Sequence, residues 1–297
     1  MKIFLTGKNG QVGFALEKKL SSLGKVISTD RSQLNLADPD AIRFFIDKVQ
    51  PDIIINAAAY TSVDKAESEP ELCYKINAIA PKVLAEKASE LDIPMVHFST
   101  DYVFDGLKKE SYLETDQVNP QSVYGQTKWK GEEALRLHNK HIILRTSWIF
   151  SCYGQNFLKT ILKLIQEKKS LNVVIDQIGT PTSSALIAYV TYNIMKAILN
   201  NLNFKDFGTY HLTSKSDTNW YHYACFITNE AIQLGLKTKM TSLDIKPILS
   251  DDYPTPAKRP CNSKLCTDKI QKTFMLELPH WESEVKKVLK GLISVHE

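Results

Sequence analysis

Thr6-Gly7-Lys8-Asn9-Gly10-Gln11-Val12-Gly13 follows a short apolar run, Lys2–Thr6, and opens an amphipathic segment, Gln11–Leu23. It therefore stands where a first β-strand turns into a first helix. The spacing is GxxGxxG, and each glycine has a task. Gly7 allows the tight turn, Gly10 lets the backbone approach a pyrophosphate, and Gly13 permits close packing of helix on strand. The helix start supplies free amides and the positive end of its dipole. In this position the motif points to a dinucleotide site, and the competing reading is a turn that needs glycine for its backbone alone. An acidic residue belongs about 20 residues on, at the end of a second strand, to hydrogen-bond an adenosine ribose. Asp30 is there. Arg31 follows it, and a guanidinium at that place suits the 2′-phosphate of NADP, so the pair leaves both NADPH and NADH open. The bland alternative for Arg31 is surface charge.

Working outward, short apolar runs alternate with longer amphipathic segments. Lys2–Thr6, Lys25–Thr29, Asp52–Asn56, Pro94–Ser99 and His141–Thr146 read as strands. Gln11–Leu23, Pro39–Val49, Glu71–Asp92 and Thr127–Leu137 read as helices, with Asp38-Pro39 a strong start signal. This alternation predicts an α/β fold of Rossmann type, a doubly wound parallel sheet with helices on both faces. Beyond about Ile149 the regularity breaks. Helices are expected at Asn156–Gln166, Ser183–Leu199, Tyr221–Leu234 and Trp281–Leu292, and a strand at Thr209–Leu212. Pro247–Asn262, with prolines at 247, 254, 256 and 260, is expected as an ordered loop or flap, because proline lacks a ladder donor. The division that follows is a dinucleotide-binding domain over residues 1–150, and a smaller, mainly substrate-binding α/β domain over 151–297. Part of 171–199 is expected to return to the first domain.

Composition narrows the function classes. The chain has 297 residues, 43% hydrophobic and 24% charged, which excludes a disordered or low-complexity scaffold. Its net charge of +4 is too even for a partner such as nucleic acid or an anionic membrane. The longest weakly polar stretch, Ser183–Met195, is too short to span a bilayer. Five scattered cysteines without a CxxC pair argue against a disulfide framework, and the first residues lack the pattern of a signal peptide. A cytoplasmic protein is expected.

The chemistry concentrates at two places. Ser99-Thr100-Asp101-Tyr102-Val103-Phe104 ends the fourth strand, and ligands of doubly wound sheets lie at carboxyl strand ends. Tyr124 and Lys128, four apart at the start of a helix, share one face. A free phenol is a poor proton shuttle at neutral pH, and a nearby lysine charge would favour the phenolate. Hydride transfer to a ketone leaves an alkoxide. Tyr124 is placed to protonate it, Lys128 to tune the phenol, and Thr100 to hydrogen-bond the oxygen as charge develops.

With the glycine turn, the Ser-Thr strand end and the YxxxK pair together, the chain resembles the extended short-chain dehydrogenase/reductases. Within them, Asn56-Ala57-Ala58-Ala59-Tyr60-Thr61-Ser62-Val63-Asp64-Lys65-Ala66-Glu67, Arg145-Thr146-Ser147-Trp148, Asp176-Gln177-Ile178-Gly179-Thr180-Pro181-Thr182 and Tyr253-Pro254-Thr255-Pro256-Ala257-Lys258-Arg259-Pro260 are similar to the dTDP-4-dehydrorhamnose reductase family. The resemblance runs from residue 1 to beyond 280. It implies reduction of the 4-keto group of a dTDP-linked 4-keto-6-deoxysugar with NADPH or NADH. It also implies that Gly10, Gln11, Val12 and Asp30 meet the cofactor's phosphates and ribose, that Leu36 packs on the adenine, and that Ala58, Ala59 and Tyr60 line the way to the nicotinamide. Lys128 would hold the nicotinamide ribose. Thr100 and Asp101 would contact the sugar, with Trp148 as an aromatic wall unless it packs in the core. Arg259 suits the substrate's diphosphate through its fork of donors, the competing view being a rim arginine without a ligand.

Some members of this family hold magnesium at a dimer contact through glutamates, where this chain has Ala15 and Ala185. No metal is expected at such a site, and a homodimer, if formed, would not use that bridge. Asn35 also replaces an acidic residue often found before the apolar position near the adenine. His97, between Val96 and Phe98, reads as a satisfied core histidine, and Cys261 and Cys266 lack further soft ligands nearby. Two rival functions stay open: an epimerase or dehydratase of the same fold, and a non-catalytic cofactor-binding regulatory subunit. Tyr102 after Asp101, where a dehydratase needs a further carboxylic acid, argues against dehydration.

Overall fold

The computed structural model describes residues 1–201 and 203–294. Five strands come from the first half: β1 (Lys2–Thr6), β2 (Lys25–Thr29), β3 (Ile53–Asn56), β4 (Met95–Thr100) and β5 (His141–Thr146). The helices between them are α1 (Gln11–Leu20), α2 (Pro39–Val49), α3 (Val63–Ala66), α4 (Pro70–Tyr74), α5 (Ala80–Glu90) and α6 (Val123–Leu135). The second half adds β6 (Ile149–Phe150), β7 (Leu171–Val174), β8 (Ile178–Gly179), β9 (Thr182–Ser183), β10 (Gly208–His211), β11 (Thr218–Asn219) and β12 (Ile245–Ile248). Its helices are α7 (Phe157–Glu167), α8 (Ser184–Asn200), α9 (Trp220–Gln233), α10 (Asp268–Phe274) and α11 (Trp281–Ile293).

The main sheet runs β10-β5-β4-β3-β1-β2 and every neighbouring pair is parallel. Successive strand residues face opposite sides, and both sides are buried. Ile3, Leu5, Ile53, Ile55, Ile142 and Leu144 pack with α1 and α8 in one core, whereas Phe4, Ile54 and Ile143 pack with α2 and α5 in another. A sheet covered on both faces reads as near-continuous apolar runs, as in Ile3-Phe4-Leu5 and Ile53-Ile54-Ile55. The strand order reverses between β1 and β3, which opens a crevice at their carboxyl ends. A separate apolar cluster joins Phe150, α7, Val173, α9, Ile245 and α11.

Three local expectations are corrected. Residues 71–92 are not one helix: Lys75–Ile79 form a π-helical turn just before Pro81, whose missing N–H spoils a regular ladder. α6 begins at Val123 rather than Thr127, capped by Ser122, whose Oγ accepts from the Gly125 amide at 3.2 Å. Gly125 looks like a helix breaker but is there for contact, because a Cβ on it would lie 2.3 Å from the Tyr102 carbonyl oxygen. Pro247 lies in a strand, opposite Val173, in a two-stranded parallel pair where an edge position demands no ladder donor. Among the described residues no helix is long and apolar enough to cross a membrane.

Candidate active site

The crevice at the carboxyl ends of β1, β3 and β4 deepens into a cleft of about 800 Å³. Its cofactor end is built by the glycine turn. Gly7, with φ of +76°, donates its amide to the Thr29 carbonyl at 2.9 Å, which fastens the turn to the end of β2. α1 has Gly10 at its N-cap, with no capping side chain and no acidic residue in its first turn, leaving the amides at Gln11 and Val12 for an anion. Gly13 does not line the cleft. It faces the turn from behind, where a Cβ would come within 2.0 Å of the Gly7 carbonyl oxygen.

Asp30 sits just past β2. Its Oδ1 accepts from the Ser32 amide and hydroxyl at 2.9 and 2.6 Å, and its Oδ2 accepts from Asn9 at 3.1 Å. The Ser32 hydroxyl, with Lys8 beyond it, holds the carboxyl down to about 2, so the group is charged where it lines the cleft. Arg31 stands exposed at the rim beside it, and Leu36 lines the same end. Ala58, Ala59 and Tyr60 follow β3 along the wall. Asn77 in the π-helical turn clamps that wall, accepting from the Tyr60 amide at 2.8 Å and donating to its carbonyl at 3.0 Å. The clamp explains why the helix tolerates the π turn, and nothing in the apolar spacing of residues 71–92 announces it.

The reacting end brings Thr100, Asp101, Tyr124 and Lys128 together. The Thr100 hydroxyl donates to Asp101 Oδ1 at 3.0 Å and accepts from the Tyr102 amide at 3.2 Å. Asp101 is buried, its other oxygen has no partner, and burial pushes its pKa up to about 6. Lys128 is 1% exposed. Its Nζ donates to the Phe98 carbonyl at 2.6 Å and lies 3.2 Å from His97 Nε2. Burial lowers its pKa to about 8, against the pull of Glu132 and Cys73.

Tyr124 is half-buried beside the Thr100 hydroxyl, and desolvation raises its phenol well above the usual 10. The lysine reaches across to β4 and spends its charge on the Phe98 carbonyl. Tyr124 therefore stands ready as a protonated phenol, the form a proton donor requires.

At the outer end, Trp148 adopts a left-handed φ of 48° and stacks on Trp220 with ring centroids 3.6 Å apart. Both indoles line the cleft, and both also pack against the apolar cluster around Phe150. Trp220 escaped the sequence reading because the Asn219 cap marks only a helix start, not which way its first residue faces. Arg259 also reaches the cleft, where its Nη2 donates to Asp64 Oδ2 at 2.7 Å while its Nε stays unpartnered. The five cysteines are free. Among the described residues, no group of three or more His, Cys, Asp or Glu side chains is arranged to hold a metal.

The family model described as RmlD substrate binding domain matches residues 1–294. The dTDP-4-dehydrorhamnose reductase of Escherichia coli K12 is 42% identical over 299 aligned positions, covering 99% of each chain. A dTDP-4-dehydrorhamnose reductase from Clostridium acetobutylicum superposes with a TM-score of 0.90 at 38% identity, over 98% of this chain and 99% of that one. The Bacillus anthracis enzyme of the same name, solved in complex with NADP, gives 0.89 at 31% identity over the same shares.

Proposed function

The chain belongs to the dTDP-4-dehydrorhamnose reductase family, and from that premise we propose how its cleft performs the reaction. The activity is NAD(P)H-dependent reduction of the 4-keto group of dTDP-6-deoxy-L-lyxo-4-hexulose to dTDP-L-rhamnose. The observation that carries the residue roles is the convergence of Thr100, Tyr124 and Lys128 on the same cleft that the glycine turn opens.

The cofactor end fits a dinucleotide, since uncapped amides of α1 face an anion's place and a charged Asp30 lies further along. Gly7, Gly10, Gln11 and Val12 would hold the pyrophosphate, Asp30 the adenosine ribose, Leu36 the adenine, and Arg31 a 2′-phosphate. Ala58, Ala59 and Tyr60 would shape the passage, and Lys128 would bind the nicotinamide ribose. When bound, NADPH or NADH supplies the hydride that attacks C4 of the sugar. Tyr124 donates the phenolic proton to the oxygen at C4, and Thr100 hydrogen-bonds that oxygen as its charge grows. Asp101 meets the sugar, the Trp148 indole walls it, and Arg259 holds the diphosphate with donors that Asp64 keeps aimed.

Residues 1–150 serve mainly the cofactor and 151–297 mainly the substrate. Part of 171–199 returns to the first unit, in keeping with α8 packing on the α1 face. The five free cysteines support a cytoplasmic setting. A homodimer is supported by exposed Phe14 and Tyr189 on adjacent helices α1 and α8, and sedimentation velocity tests it. The functional test is NADPH and NADH oxidation with the dTDP-4-ketosugar made in situ. Stoichiometric oxidation supports net reduction; internal recycling would indicate an epimerase, and binding without oxidation an idle relative.

A further inference from the structure

A buried hydrogen-bond chain runs from the glycine turn to Lys128, and its hydroxyl, amide and imidazole links admit two opposite polarities. In one of them the Thr6 hydroxyl, which accepts from the Ala58 amide at 3.2 Å, sends its own proton to Asn56 Oδ1 at 2.6 Å. That orients the amide, and Asn56 Nδ2 donates to His97 Nδ1 at 3.0 Å. A ring nitrogen that accepts carries no proton. His97 is fully buried and stays neutral in both, since burial, reinforced by the Lys128 ammonium when it is present, pushes its pKa well below 6.5. Its single proton then sits on Nε2, 3.2 Å from Lys128 Nζ. An N–H facing Nζ requires a lone pair there, which only the neutral amine has.

Charging the lysine reverses every link. An ammonium has three donors and no acceptor, so Nε2 must accept, the imidazole proton must move to Nδ1, and the Asn56 amide must turn over to receive it. Asn56 Nδ2 then donates to Thr6 Oγ1, which releases the Thr6 hydroxyl proton for another acceptor. Thr6 lines the same cleft as Lys128. We propose that His97 is a positioning residue whose tautomer, through Asn56 and Thr6, couples the charge of Lys128 to the direction of the Thr6 hydroxyl at the glycine turn.

The other groups around Lys128 are Glu132 on α6 and Cys73 on α4, which favour the ammonium, with Tyr124 and Asp101 toward the cleft. Glu132 is itself paired with Arg145 of β5. With Lys128 titrating at about 8, both wirings are reached near neutral pH. An acceptor oxygen of an anionic ligand at the turn recruits the Thr6 proton and, through the chain, the ammonium. This use of the coupling rests on the reductase reading, but its test does not.

The test is ¹⁵N spectroscopy of the His97 ring in unliganded protein, with the resonances assigned by their loss in His97→Gln. The proton should reside on Nε2 well above pH 8 and on Nδ1 well below it, with the changeover at the Lys128 pKa. Lys128→Met should abolish the changeover and leave a single tautomer throughout the titration. A single tautomer across the wild-type titration, an imidazolium signal at neutral pH, or a changeover that survives in Lys128→Met would overturn the coupling. A protein that switches tautomer yet never oxidises NADPH would overturn only the functional reading.

Discussion

Gly13→Ala tests the seat of the cofactor most sharply, because the space it needs is already filled by backbone. A Cβ at position 13 would stand 2.0 Å from the Gly7 carbonyl oxygen, 2.6 Å from its carbon and 3.0 Å from Lys8 Cα. Restoring ordinary van der Waals separation requires the turn to retreat by roughly 1.4 Å. The carbonyl that must move accepts the Gly10 amide at 2.9 Å, and the same turn is tied to Thr29 by bonds of 2.9 and 3.1 Å. Overpacking costs about 1–3 kcal/mol and the lost hydrogen bond about 1 kcal/mol more, so unfolding free energy should fall by about 2–4 kcal/mol. Displaced amides should also forfeit at least one charge-assisted bond to the pyrophosphate, worth about 1.5–3 kcal/mol, or roughly 10–100-fold in NADPH affinity. Urea denaturation and fluorescence titration with NADPH read the two effects separately. Gly291→Ala in α11 is the control. No atom lies within 4 Å of its built Cβ, so it should stabilise by about 0.5–1 kcal/mol and leave NADPH binding alone. Wild-type stability and affinity in Gly13→Ala would refute this packing argument.

Other perturbations probe the reacting end and its support. Glu132 and Arg145 are both fully buried and paired at 2.7 Å, so Glu132→Gln strands a buried guanidinium and should cost about 3–5 kcal/mol in urea denaturation. Asp101 titrates at about 6 when folded, against about 3.9 unfolded, so native stability should fall by about 3 kcal/mol as pH rises between those values and then level off. Asp101→Asn should accordingly gain stability over wild type at about pH 8 and none at about pH 4, as compared by denaturation at the two values. Arg259→Ala should raise the Michaelis constant for the dTDP-sugar roughly 10-fold or more with a smaller effect on kcat, and an unchanged value removes Arg259 from the site.

The doubly wound sheet was legible because each buried strand is a short, mainly apolar run, and because the glycine turn occupies the one place where strand, turn and helix must meet. What stayed hidden depended on contacts between distant segments. Nothing local in Asn219-Trp220 tells that its indole stacks on Trp148, and nothing in Asn77 tells that its amide clamps the backbone of Tyr60. The need for Gly125 is likewise set from a distance, by the Tyr102 carbonyl. The positions of Tyr124 and Lys128 were readable from their spacing, but the electrostatics were not. Helical spacing places the two side chains on one face, whereas the Phe98 carbonyl decides where the ammonium goes. His97 read correctly as a buried core residue, yet only its neighbours Asn56 and Lys128 reveal the wiring.

The most direct measurement is steady-state NADPH oxidation by wild type and Tyr124→Phe, with the dTDP-4-ketosugar generated in the assay and NADPH affinity measured alongside. Wild type should oxidise one cofactor per sugar reduced, and Tyr124→Phe should lose about 10²–10⁴-fold in kcat while binding NADPH as before. Turnover of Tyr124→Phe at the wild-type rate would contradict the assignment of the proton donor.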